Sequence, residues 1–227
     1  MLETPSQRVS QVLHASGADA WERATNHPMV RAIGDGSLPR AVFRGYFQQN
    51  ILYLQDYARA IALIVAKAPD REALTTLSRF QSQIVEIEIP ANLRFLEQLG
   101  GDVASLGDVG SMLPGAYGYT RHLLATCAQG DCADGLSAVL PCQWSYGELA
   151  RDLITAHPPE DPIYAGWIGM FGSNEYAGLV AETTALLDRV ADIGDHAQMA
   201  RLMAIFDRST QYEVGFWDMA YGSPDQG

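Results

Sequence analysis

A chain of 227 residues with 48% hydrophobic and 19% charged side chains can bury a sizeable core and is too apolar for disorder, so one globular domain spanning residues 1–227 is expected. Fifteen basic residues against 27 acidic ones give a net charge of −12, which argues against a nucleic-acid groove of clustered Lys and Arg. The longest apolar run, around 58–66, is interrupted by Arg59 and too short for a bilayer, so no membrane partner is expected. Three cysteines, an odd number with no secretory apolar segment ahead of them, point to a cytoplasmic protein rather than a disulfide framework.

Most segments carry the helical period and none alternates as a strand does, so the chain reads as all-α. Helices are expected over 7–15, which Ser16-Gly17 ends, and 18–26, which His27-Pro28 interrupts. Gly34 to Pro39 is a turn that opens a long helix to about Lys67. Along it Phe43, Phe47, Asn50, Leu54, Tyr57, Ile61 and Ile64 recur every three or four residues, and Tyr53 lies near Asn50. Asn50 therefore sits on an apolar stripe, where its amide either bonds a neighbouring helix or faces a cavity. A further helix runs over 71–99, bent at Pro90, and Gly100-Gly101 closes it.

Pro114 opens a helix carrying Tyr117, Tyr119 and Cys127, which Gly130 ends. The next helix, about 131–156, contains Leu140-Pro141-Cys142-Gln143-Trp144-Ser145-Tyr146 and stops at His157-Pro158-Pro159. Cys142 and Tyr146 are four apart and share a face, just after a proline that removes a backbone donor. A thiol there is either a nucleophile or a small buried hydrophobe. Short helices over 163–171 and 173–190 precede a last one over 197–221. On it Phe206, Ser209, Glu213, Phe216, Trp217 and Ala220 share one face. Glu213 on that face is either a desolvated acid with its pKa raised toward neutrality or a carboxyl turned to the solvated rim.

Several chemistries lack their residues. None of the five histidines has an acidic residue three positions before it, as a di-metal helical bundle needs, and Glu86 and Glu88 are two apart and share no helix face. No nucleophile elbow, phosphate loop or dinucleotide fingerprint occurs.

The segments His27-Pro28, Gly34-Asp35-Gly36-Ser37-Leu38-Pro39, Tyr53-Leu54, Tyr119-Thr120, Leu140-Pro141-Cys142-x-Trp144 and Pro162-Ile163-Tyr164-x-x-Trp167-Ile168-Gly169 resemble the TenA family. So does the terminal Tyr212-Glu213-x-x-Phe216-Trp217-x-Met219-Ala220-Tyr221, and the match runs in order from about His27 to Tyr221. This family includes thiaminase II, the aminopyrimidine aminohydrolases. The resemblance implies a haem-oxygenase-like helical bundle, a homotetramer without metal or other cofactor, and a small-molecule pyrimidine substrate. The implied reaction hydrolyses 4-amino-5-aminomethyl-2-methylpyrimidine to the hydroxymethylpyrimidine and ammonia in thiamin salvage, with thiamin itself cleaved by many members.

By position, Cys142 is then the nucleophile and Glu213 the acid/base that protonates the ring and the leaving amine. Tyr119 and Tyr146 line the pocket, with Tyr53 and Phe216 beside them. Two positions depart from the family pattern: Asn50 stands where an Asp that bonds the pyrimidine is common, and Phe171 where a Tyr is common. These departures keep open a hydrolase of another amino-heterocycle or an amide, and a non-catalytic regulator or ligand-binding protein is a further alternative.

Overall fold

A computed structural model describes residues 7–156 and 159–222. Eleven α-helices account for most of them, and no strand occurs among the described residues. They are α1 (Val9–Ser16), α2 (Ala18–Thr25), α3 (Pro28–Gly34), α4 (Arg40–Val65), α5 (Arg71–Ser82), α6 (Ile89–Gln98), α7 (Pro114–Gln129), α8 (Cys132–Thr155), α9 (Pro162–Phe171), α10 (Asn174–Val190) and α11 (His196–Gly222). The all-α expectation holds, with boundaries displaced by a residue or two.

Helix starts follow local chemistry. Prolines occupy the first turns of α3, α7 and α9, where a missing N–H costs nothing. Asp70, Asp131, Asp161 and Ser173 cap α5, α8, α9 and α10 by accepting from backbone N–H groups. At α8 the cap is reciprocal: Asp131 accepts from the Asp134 N–H at 2.9 Å, and Asp134 accepts from the Asp131 N–H at 3.1 Å.

Two segments differ from the sequence reading. His27-Pro28 interrupts one helix but also starts another: His27 caps α3, its Nδ1 accepting from the Met29 N–H, while its Nε2 lies 3.1 Å from Asp218 on α11. The expected 71–99 helix is divided before Pro90 by a π-helical turn, Gln83–Glu88, in which the Ile89 N–H reaches back to the Ile84 carbonyl. Pro90 has no N–H and its ring crowds the carbonyl four residues before it, and a wider turn relieves that crowding. His157 and Pro158, expected to stop α8, lie outside the described residues.

Helix α8 is the axis of the bundle. It packs against α4, α7, α9, α10 and α11, and sixteen of its residues are buried. Its approach to α4 is close: a Cβ added to Gly135 would meet Ile64 Cγ1 at 2.6 Å. α4 in turn contacts α5, α6 and α7. Tyr57 on α4 ties the two long helices by donating to the Val139 carbonyl at 2.8 Å, two residues before Pro141. Helices α4, α7, α8 and α11 thus each turn a buried face toward one central region, which is where the polar groups collect.

Candidate active site

The three polar groups that the sequence put on core-facing stripes all lie inside. Asn50 is 4% exposed and Glu213 2%, and Cys142 keeps some accessible surface, unlike the fully buried Cys127. Glu213 is therefore the desolvated acid and not the rim carboxyl. Tyr53, Tyr119, Tyr146, Phe171 and Phe216 are each at most 4% exposed.

Glu213 comes from α11 and accepts a 2.5 Å hydrogen bond on Oε1 from Tyr119 Oη on α7. Burial pushes its pKa up to about 7, and the Tyr119 hydroxyl and the neighbouring Cys142 thiol hold it from rising further. The Cys142 thiol lies beside this carboxyl. Its own pKa is driven well above the ordinary value, first by burial, then by the negative charge that Glu213 and Glu88 would bring. At neutral pH the resting residue is a neutral thiol, and Glu213 is the adjacent base able to take its proton.

Around this pair the rings form a wall. Tyr53 packs on Tyr119 at 5.0 Å and on Phe216 at 5.5 Å, and Tyr212 stacks on the other side of Tyr119 at 5.3 Å. Tyr146, one turn beyond Cys142, packs against Trp217 at 5.2 Å and Phe171 at 4.9 Å, and its hydroxyl lies 3.2 Å from that of Tyr46. The Tyr53 hydroxyl is buried beside the Cys142 thiol and the Tyr119 hydroxyl and forms no well-aligned hydrogen bond with either.

Asn50 is bonded to a neighbouring helix: its Nδ2 donates to Asn92 Oδ1 on α6 at 3.0 Å, and Asn92 Nδ2 donates to the Glu88 carbonyl at 2.8 Å. These contacts hold Asn50 against the π-turn, and its Oδ1 accepts no hydrogen bond among the described residues. Glu88, Asn92 and Tyr46 were not singled out from sequence. Ile84, Glu88, Asn92 and Leu96 are all buried and lie four apart, so the stripe test that found Asn50 would also have found Glu88 and Asn92. Tyr46 lies one turn before Asn50 on α4 and could have been found the same way.

Among the described residues no cluster of three or more His, Cys, Asp or Glu side chains could hold a metal ion, and no helix is long and apolar enough to cross a membrane. No Lys or Arg is among the buried residues. The surface grooves between α5 and α10 and between α8 and α10 include none of the residues gathered around Cys142.

Comparison with known proteins matches the same frame. An aminopyrimidine aminohydrolase of Halalkalibacterium halodurans is 34% identical over 212 residues, covering 92% of this chain and 93% of that protein. The crystal structure of a TenA family transcription regulator from a Silicibacter species superposes with a TM-score of 0.88 at 28% identity, covering 96% of this chain and 99% of that one. A domain from Shewanella denitrificans with a heme oxygenase-like fold matches with a TM-score of 0.71 at 16% identity over 92% of this chain and 90% of that one, a likeness of fold alone. The family model described as TENA/THI-4/PQQC matches residues 14–223, and the chain belongs to that family.

Proposed function

We propose that the protein is an aminopyrimidine aminohydrolase of thiamin salvage, converting 4-amino-5-aminomethyl-2-methylpyrimidine to its hydroxymethyl counterpart and ammonia. The observation that carries this reading is the side-by-side placement of the Cys142 thiol and the raised, Tyr119-bonded Glu213 carboxyl within a wall of aromatic rings. Relatives of the chain carry that enzyme name over more than nine-tenths of its length.

The chemistry follows from the pair. Ionised Glu213 takes the thiol proton as sulfur adds to the ring carbon next to the arm-bearing carbon. The displaced electron pair passes through the ring to a ring nitrogen, which takes a proton. The pair then returns as that nitrogen gives its proton back, and it breaks the carbon–nitrogen bond of the arm, leaving an exocyclic methylene, while the departing amine takes the thiol's former proton from Glu213. Water adds to the methylene and gives a proton to Glu213, the ring nitrogen is again protonated, and reversal of these steps releases sulfur as the thiol. Tyr119, Tyr146, Tyr53, Phe171 and Phe216 hold the ring, and Asn50 accepts on Oδ1 from its exocyclic amine while its Nδ2 stays on Asn92.

The reading includes a cytoplasmic location, one domain, no metal or cofactor, and a homotetramer, whose mass light scattering would report. Ammonia release from the aminomethylpyrimidine tests it. The wild type turns over, and Cys142→Ser and Glu213→Gln each lose at least about 10³-fold in kcat while remaining folded. A wild type that releases no ammonia refutes the assignment.

A further inference from the structure

The reaction as written needs two protons held in the site at once. Between sulfur addition and amine departure Glu213 carries the proton of the thiol, so it cannot also supply the ring nitrogen. Asn50 can hydrogen-bond the ring but has no proton to transfer. Burial raises the phenols of Tyr46, Tyr53, Tyr57, Tyr119, Tyr146 and Tyr176 still further above neutrality, so none of them is a matched donor. One acid of the pocket is left without a role.

Glu88 ends the π-helical turn, is 6% exposed, and its carboxyl forms no side-chain hydrogen bond or ion pair among the described residues. It stands one turn before Asn92, which holds Asn50, so Asn50 and Glu88 are fixed relative to one another through Asn92. The π-turn and α6 both pack on α4, the helix that carries Tyr46, Asn50, Tyr53 and Tyr57, and the charge of Glu88 is felt at Cys142, Tyr46, Tyr57 and Tyr176. π-turns inside helices often occur at functional positions, and this one sets Glu88 inward while Val85 and Ile87 face solvent.

We propose that Glu88 is the second acid of the site: it contacts the substrate ring at the nitrogen beside the exocyclic amine and donates a proton there as sulfur adds. The inference rests on the hydrolase reading. As the carbon–sulfur bond forms, the ring pair shifts to that nitrogen, which takes the Glu88 proton and leaves a carboxylate. When the arm's carbon–nitrogen bond breaks, the nitrogen returns its proton to Glu88, and the sequence repeats when water adds and sulfur leaves. No proton is gained or lost by Glu88 over the cycle. Burial pushes its pKa up to about 8, so the empty site holds the proton at neutral pH.

Three variants test this. Glu88→Gln keeps shape and hydrogen bonds but has no proton to give: kcat for ammonia release falls by about 30-fold or more, while affinity for the hydroxymethylpyrimidine product, by calorimetry, stays within about threefold. Glu88→Met also removes the ring contact, and product affinity falls about tenfold or more. Glu88→Asp, which still carries a proton, recovers part of the kcat. Wild-type kcat in the Gln variant, wild-type product affinity in the Met variant, or equal losses in all three alongside a lowered melting temperature would each overturn the inference. Failure of the hydrolase reading is a separate result, absence of both turnover and product binding in the wild type.

Discussion

Tyr119→Phe isolates the electrostatics of the Cys142–Glu213 pair, because it removes one hydroxyl and leaves the ring that packs against Tyr53 and Tyr212. The hydroxyl donates to Glu213 Oε1 at 2.5 Å, and that bond favours the carboxylate. A hydrogen bond to a charged group contributes about 1.5–3 kcal/mol, and about half of that remains with the neutral acid, so its loss raises the Glu213 pKa by about one unit, from about 7 to about 8. The base form needed to take the thiol proton then drops at pH 7 from about one half to about one tenth of the molecules.

The assay is ammonia release across pH 5.5 to 9, since the pH dependence of kcat/KM reports the free enzyme's acid and base. The expected loss is about fivefold at pH 7, closing to parity near pH 9, where Glu213 is ionised in both proteins. A loss of constant size at every pH, or an acid limb that does not move, would refute the view that Tyr119 acts by tuning Glu213.

Two further outcomes follow from buried groups. Glu88 and Glu213 both titrate higher in the folded chain than the ordinary 4.5, so between that value and about 8 the folded state holds protons that the unfolded chain has released. Stability therefore falls as pH rises through this window. The Glu88 share is bounded by about 5 kcal/mol, less whatever relaxation and water entry recover. Glu88→Gln should melt near the wild type at pH 5 and above it at pH 8.5 in a calorimetric scan, and equal pH slopes for the two proteins would contradict the desolvated carboxyl. Gly135→Ala places a methyl 2.6 Å from Ile64 Cγ1, forcing α4 and α8 apart, and should cost about 1–3 kcal/mol in urea unfolding.

How far the sequence revealed this site depended on whether a residue sat in an unbroken helical period. Asn50 and Glu213 lie in long regular helices, so their places on apolar faces could be read by counting threes and fours, and both are buried as that counting predicts. Glu88 shares the spacing of four with Ile84 and Asn92, but as a possible metal ligand it has only Glu86 near it in sequence, two residues away and on another face. The π-turn itself has no period of its own to detect, and Pro90 signalled a bend without saying that the wider turn would precede it. His27 was legible as a break but not as a cap, since its partner Asp218 is far along the chain. The proton affinities of the site depend on contacts between α7, α8 and α11, which no local pattern carries.

Those affinities also bear on how an acidic protein with no buried Lys or Arg would hold the cysteine nucleophile proposed for it. A low-pKa thiol needs a cation or a helix N-terminus nearby, whereas Cys142 lies in the interior of α8 between two carboxyls that oppose its ionisation. The resting site is therefore close to neutral, with Glu88 protonated and Glu213 half so, and the thiol is protected until something offsets the charge. An aminopyrimidine supplies that offset when its ring takes the Glu88 proton as sulfur adds, because the electron pair driven into the ring is then neutralised where it arrives. In this reading Cys142 needs no resident cation, and Glu88, by protonating the ring as sulfur adds, decides when the thiol is reactive.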